Sequence, residues 1–210
     1  MACPIQGPAM TSETPTRRRI LLIEGHPDPS AERLNHLLAD AYAEGALEAG
    51  HAIHRLAVGT LDFPILRTQH SWAHDPVPPT LQGAQGELVW AQHVVIFFPL
   101  WMGDMPALLK GFLEQVARPG FAVGPEGASP FGPKALSGRS ARVVVTMGMP
   151  ALVYRWFYRA HSVKALERNI LGMVGFAPVN ETLIGGVEAL GDKGVLKWLA
   201  ALRKLGRKAA

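Results

Sequence analysis

The segment Val94-Val95-Ile96-Phe97-Phe98 constrains this chain most. It is a continuous run of β-branched and aromatic residues closed by Pro99. A run this short and this apolar reads as a strand covered on both faces, the situation of an inner strand in a parallel sheet. Arg19-Ile20-Leu21-Leu22-Ile23-Glu24 has the same character. Two such strands in one sheet require helices on both sides of it, because each face presents apolar side chains that must be buried.

The remaining residues supply that pattern. Gly25-His26-Pro27-Asp28-Pro29-Ser30 is a turn cluster after the first strand. A helix is expected next, with Leu34, Leu37, Leu38, Ala41, Tyr42 and Leu47 on one face and Gly50 as its stop. Further strands are expected over residues 52–56, 143–146 and 179–184. Helices are expected over 81–91, 107–117, 154–174 and 195–205. Residues 59–80 read as a long loop rich in Pro and His, and 120–138 as an irregular Gly/Pro segment. This alternation predicts an α/β domain with a five-stranded parallel sheet in the order 2-1-3-4-5.

With 210 residues, the chain suits one domain, expected over 19–206. Residues 1–18, with Pro4, Pro8 and Pro15 among Thr and Ser, are expected to be a disordered tail without a signal-peptide pattern. The net charge of +4 comes without a basic stripe and interleaved aromatics, so no nucleic-acid partner is expected, only a mild attraction for small anions. The single cysteine, Cys3, excludes an internal disulfide and fits a reducing, cytoplasmic setting. The longest apolar run, Val94 to Met102, is far short of the roughly 20 residues of a membrane span, so no stable membrane insertion is expected.

In a sheet of this order a ligand binds beyond the carboxyl ends of the strands, where strands one and three part. That selects three loops. In the first, Ser30, Arg33 and Asn35 stand near free N–H groups of a helix start, a setting that favours a phosphate. The plainer alternative is Ser30 as a helix cap. The second, from Pro99 to Pro106, is an apolar shelf stiffened by proline and suits a flat aromatic ligand, unless Trp101 and Met102 simply pack. In the third, Gly148 of Thr146-Met147-Gly148-Met149-Pro150 allows close backbone approach. Downstream, Tyr154 and His161 are candidate proton donors, although a helical histidine is often only a solvated one. His70 and His74 have HxxxH spacing without a Glu partner, so no metal site is expected. There is no Walker loop, GxGxxG or GxSxG motif.

Three blocks carry a resemblance. They are His26-Pro27-Asp28-Pro29 with Leu34-Asn35, the run from Phe98-Pro99-Leu100-Trp101-Met102-Gly103-Asp104-Met105-Pro106 to Val116, and Pro119-Gly120-Phe121-Ala122. Together they resemble the flavodoxin-fold NAD(P)H:quinone oxidoreductase family, in its short bacterial form, over residues 19–205. The resemblance implies a flavodoxin-like three-layer sandwich, a homodimer with the flavin site near its interface, and a bound FMN (alternatively FAD). It also implies ping-pong transfer of two electrons from NADH or NADPH to a quinone or similar acceptor.

By position, His26, Ser30, Arg33, Leu34 and Asn35 would hold the flavin phosphate. Pro99, Leu100, Trp101, Met102 and Gly103 would border the isoalloxazine, and Thr146, Met147 and Gly148 its pyrimidine edge. Tyr154, with His161, would be catalytic. The chain departs from the family in a first loop about two residues longer, in the run Thr146-Met147-Gly148-Met149, and in a one-residue slip at His161. Residues 120–138, with Phe121 and Phe131, could form a wall over the acceptor, and Trp72, Trp156, Phe157 and Tyr158 could line the same pocket. The alternatives are a flavin-bearing regulatory subunit of a membrane transporter and a one-electron flavodoxin-like carrier; the basic charge disfavours the carrier.

Overall fold

A computed structural model describes residues 17–122 and 134–210. Of the tail expected over 1–18, residues 1–16 lie outside the described residues, as do 123–133 of the acceptor wall expected over 120–138, Phe131 among them. The sheet has five parallel strands in the order β2-β1-β3-β4-β5. They are β1 (Arg19–Glu24), β2 (Ala52–Ala57), β3 (His93–Pro99), β4 (Ser140–Met147) and β5 (Val179–Gly185). This is the predicted order.

Side chains alternate between the two faces as the pleat requires. Leu21, Ile23, Val94, Ile96, Phe98, Val143 and Val145 bury one face. Against it pack α3 (Pro79–Trp90), α4 (Ala107–Val116), α5 (Ala151–Trp156) and α6 (His161–Ala165), which contribute Leu81, Leu109, Tyr154 and Val163. Ile20, Leu22, Val95, Phe97 and Val144 bury the other face, under α1 (Leu34–Glu48) and the last helix, α8 (Gly191–Lys208). Every residue of β3 is buried, which is why its sequence shows no polar alternation.

Three expectations need correction. Residues 59–80 are not all loop: they contain a 3₁₀ turn at Val58–Thr60 and α2 (Gln69–His74), whose first turn is capped by Thr68 accepting from Ser71 N–H. The helix expected over 154–174 is broken. It stops after α5, because Arg159 and Ala160 take left-handed φ of 53° and 49°, and resumes as α6. From there a π-type turn, Leu166–Leu171, leads into α7 (Gly172–Val174). The buried face of α1 is also rotated from the one expected. Leu37 and Leu47 are exposed, and the contact is made by Asn35, Leu38, Ala39, Tyr42, Ala43 and Ala46.

Small residues face inward on α1 because α8 lies so close. A Cβ on Gly45 would stand 2.0 Å from Arg203 O, and one on Gly206 would stand 2.0 Å from Tyr42 O. Both are backbone contacts that no rotamer change relieves. Arg203 and Arg207 of α8 then pair with Glu44 and Glu48 of α1 along the open edge.

Two predictions follow from this packing. Gly206→Ala forces α8 away from α1 and should cost about 3 kcal/mol, the upper end for overpacking, read as a lower urea midpoint. The second concerns His93, which is 1% exposed at the start of β3. Burial, then the charges of Arg18 and Arg142, push its imidazole down from 6.5 to about 4. A lowered histidine means that the unfolded chain binds the proton first as pH falls. Stability is therefore complete above pH 6.5 and drains away between 6.5 and about 4, by about 3 kcal/mol. Equilibrium unfolding across that range should show the loss in the native chain and a flatter profile in His93→Gln.

Candidate functional site

The three loops meet at the carboxyl end of the sheet because β1, β3 and β4 are adjacent and in register. Ile23 pairs with Ile96 and Ile96 with Val143. Gly25 N–H donates to Phe97 O at 2.7 Å, and Leu100 N–H to Thr146 O at 2.7 Å, so each loop leaves its strand tied to the next one.

The first loop is held from behind by a buried polar network. Glu24 is 5% exposed and accepts from Arg55 Nε at 2.9 Å, while its other oxygen lies 2.6 Å from His36 Nδ1. The second ring nitrogen of His36 lies 3.0 Å from Asp28 O. Both His36 partners are oxygen acceptors. Asp28 accepts from Ser30 N–H at 2.9 Å and from Arg33 Nε at 2.7 Å. The Ser30 hydrogen bonds, then Arg33, hold its carboxyl well below the usual carboxylate range. Asp28 N–H in turn donates to His26 Nδ1 at 3.0 Å, and burial keeps the His26 imidazole below its ordinary value.

These contacts revise the roles expected of Ser30 and Arg33. Ser30 does not cap the helix: α1 begins at Leu34, and the residue before it, Arg33, makes no side-chain cap. Arg33 is not a waiting cation either, since Asp28 already pairs with it. Asn35 is the residue that joins two loops. It is 3% exposed, and its Nδ2 donates to Thr146 Oγ1 at 2.8 Å. Its Oδ1 is buried and has no partner among the described residues.

The second loop is a tight hairpin. Trp101 N–H donates to Asp104 O at 2.8 Å, and Asp104 N–H to Trp101 O at 2.9 Å. Met102 and Gly103 between them have φ of 49° and 82°, the positive pair of a type I′ turn. Gly103 takes this conformation freely, whereas Met102 is strained by about 1–2 kcal/mol. Met102 is fully exposed and Trp101 is half exposed, with its ring edge-on to His26 at 5.8 Å between centroids. Neither is core packing. Pro99 is buried in β3 and Leu100 is half-buried behind the hairpin.

Across from the hairpin, Met147 is buried and Gly148 is open, since a Cβ there would meet only Glu188 Oε1 at 3.7 Å. A cavity of about 330 Å³ separates the second loop from the third, walled by Met102, Gly103, Met149, Tyr154, His161 and Ser162. Tyr154 is 2% exposed; its hydroxyl lies 2.6 Å from Ser162 Oγ and accepts from Val163 N–H at 3.4 Å. His161 is exposed at the cavity wall. The structure thus brings Tyr154 and His161 to one cavity and adds Ser162, which carries no sequence signal of its own. Tyr158 also reaches this cavity, but Trp72, Trp156 and Phe157 are not among its walls. Among the described residues, no three His, Cys, Asp or Glu side chains come together as metal ligands, and no helix is long and apolar enough to cross a membrane.

The family model for the flavodoxin-like fold matches residues 18–205. A ribosyldihydronicotinamide dehydrogenase-like protein, traD, of Penicillium crustosum is 28% identical over 155 residues, which cover 62% of this chain. The match spans only 57% of that relative's own length. Among solved structures, the NAD(P)H:quinone oxidoreductase from Methanothermobacter marburgensis superimposes with a TM-score of 0.75 at 22% identity, covering 91% of this chain and 95% of that one. An FMN-dependent NADH-azoreductase from Bacillus anthracis, solved in complex with FMN, gives a TM-score of 0.71 at 16% identity, covering 92% and 99%.

Proposed function

Because the chain belongs to the family of flavodoxin-like fold, we propose that it is a flavin-dependent oxidoreductase, moving two electrons from NADH or NADPH to a quinone or similar aromatic acceptor. The observation that carries this reading is Asn35 Oδ1, a buried acceptor without a partner at the point where β1 and β3 part. Such an atom costs about 1–3 kcal/mol until a donor reaches it. A hydroxyl of a bound FMN would supply that donor, and Thr146 accepts from Asn35 Nδ2 and so holds the amide in place. The relatives and neighbours named for nicotinamide, quinone and FMN chemistry support the same reading.

The residues present fit this cofactor. The loop from His26 to Asn35 offers Ser30, Arg33 and the first turn of α1 to the phosphate, which competes with Asp28 for Arg33. Leu100, Trp101, Met102 and Gly103 border one side of the ring site, and Thr146, Met147 and Gly148 the other. Bound FMN would supply hydride acceptance and two-electron transfer, with the nicotinamide and the acceptor using one site in turn. The cavity beside the hairpin would receive those partners, with Met102 and Met149 as its apolar walls and Tyr154, His161 and Ser162 as its polar ones.

Tyr154 and Ser162 hold a proton at the cavity wall. The Tyr154 hydroxyl accepts from Val163 N–H and shares a hydrogen bond with Ser162 Oγ in which either oxygen can donate, so the pair can present a proton to the cavity. Exposed His161 then connects this pair with solvent.

The functional unit we infer is a homodimer. Leu152, Trp156, Phe157 and Tyr158 are all at least half exposed on and just after α5, next to the cavity. A contiguous apolar patch of this kind marks an interface. The single cysteine supports a cytoplasmic setting.

Titrated with FMN, the purified chain should quench flavin fluorescence with one site per chain and turn yellow; failure to take up FMN or FAD would sink the reading. Asn35→Ala should weaken FMN binding by about 5–10-fold, equivalent to one hydrogen bond. Trp101→Ala should also weaken it, and an unchanged affinity would assign Trp101 to packing alone. NADH or NADPH oxidation should then depend on an added quinone. Light scattering should give the mass of a dimer, and Trp156→Glu with Phe157→Glu should halve it.

A further inference from the structure

One buried histidine has no part in the proposed chemistry. His36 is 7% exposed and lies in the first turn of α1, next to Asn35. Neighbouring residues on a helix point about 100° apart, so this one turn reaches two loops. Asn35 bonds Thr146 in the third loop, and His36 turns back to the first.

The His36 ring stands between a fixed oxygen and a loose one. Its Nδ1 lies 2.6 Å from Glu24 Oε2, and its Nε2 lies 3.0 Å from Asp28 O. Glu24 ends β1 and is buried. Arg55 of β2 donates to Glu24 Oε1 at 2.9 Å and also pairs with Asp40 of α1 at 2.6 Å. Asp28 has no strand or helix around it. Pro27 and Pro29 flank it, and neither has an N–H with which to tie the backbone down.

The same stretch meets the end of β2 from behind. A Cβ on Gly59, in the 3₁₀ turn after β2, would stand 2.6 Å from Pro27 O and 2.8 Å from His26 O. The loop backbone therefore rests on Gly59 and is fastened by His36. Its position matters because the Asp28 carboxylate carries the rest of the loop. That carboxylate accepts from Ser30 N–H at 2.9 Å and from Arg33 Nε at 2.7 Å.

We propose that His36 is the positioning residue of the phosphate loop. It fastens the Asp28 carbonyl to the Glu24–Arg55 pair, and so fixes where Ser30 and Arg33 present themselves to a cofactor phosphate. The inference rests on the flavin reading and adds to it a residue that touches no cofactor. A purely structural histidine would steady the whole domain, whereas a positioning one acts on the phosphate and leaves the ring site alone.

The readout is the difference between FMN and riboflavin, which lacks the phosphate, in fluorescence quenching by the purified chain. His36→Asn carries an amide N–H only as far as the place of Nδ1, toward Glu24, whereas His36→Gln carries one to the place of Nε2, toward Asp28 O. His36→Asn should bind FMN about ten-fold or more weakly with riboflavin affinity unchanged, and His36→Gln should bind FMN within about three-fold of the native chain. Gly59→Ala pushes the same backbone from the other side. It should reproduce the His36→Asn pattern, and it decides the matter if His36→Asn does not fold. A native chain that binds FMN, with a His36→Asn variant that loses FMN and riboflavin alike or loses neither, overturns this inference and leaves the flavin reading standing. A His36→Gln variant no better than His36→Asn does the same. A native chain that takes up no flavin overturns the reading and the inference with it.

Discussion

The two-sided burial of β1 and β3 is the constraint on which the rest of the molecule depends. Both strands are apolar at every inner position, so neither can lie at an edge or face water. They become neighbours, with helices above and below, and the chain must leave them in opposite directions along the sheet. The crevice at their carboxyl ends is a consequence of that topology, not a separate invention. Gly25 N–H donating to Phe97 O closes its floor.

On that floor the site is assembled from parts that are remote in sequence. Asn35 and Thr146 are 111 residues apart, yet their side chains bond at 2.8 Å because α1 starts over the end of β4. The position of α1 depends in turn on its contact with α8, where Gly45 and Gly206 let the two backbones touch. The aim of the Asn35 amide is therefore set partly by a glycine pair at the far end of its own helix. The hairpin opposite has a different logic. Its Met102 sits in a left-handed conformation and in full solvent exposure, so packing does not account for it. Strain of this kind collects where a ligand is to be met.

Much of this was legible in the sequence, and what was not has physical reasons. The inner strands β1 and β3 followed from uninterrupted apolar runs, because a buried strand leaves no freedom to place polar residues, and the order followed from the alternation of strands and helices, the edge strands β2 and β5 carrying polar residues. The three loops followed from the order. Helix faces were harder to read. Leu37 and Leu47 fit the period of α1 as well as Ala39 and Ala43 do, and only the closeness of α8 selects the small residues. The break after α5 had no breaker residue to announce it, since Arg159 and Ala160 adopt left-handed φ through tertiary context alone. At the site, residue types were visible but pairings were not. Arg33 looks like a free cation until Asp28 is seen to hold it. Ser162 carries no motif and matters only because the Tyr154 hydroxyl lands on it.

The two ends of the sheet deal with positive charge in contrasting ways. At the carboxyl end every cation near the cleft has an internal partner: Arg33 has Asp28, and Arg55 has Glu24 and Asp40. These pairs hold the first loop in shape from within. At the amino end Tyr42, His93 and Arg142 form a buried cluster, and among the described residues no ion pair reaches Arg142. A protein with a net charge of only +4 has acids enough to neutralise such a cluster, and it spends them instead on Arg203 and Arg207 along the α1–α8 edge. Leaving the buried Arg142 unpaired while pairing exposed arginines runs against stability, since exposed pairs contribute little and buried unpaired charge costs much.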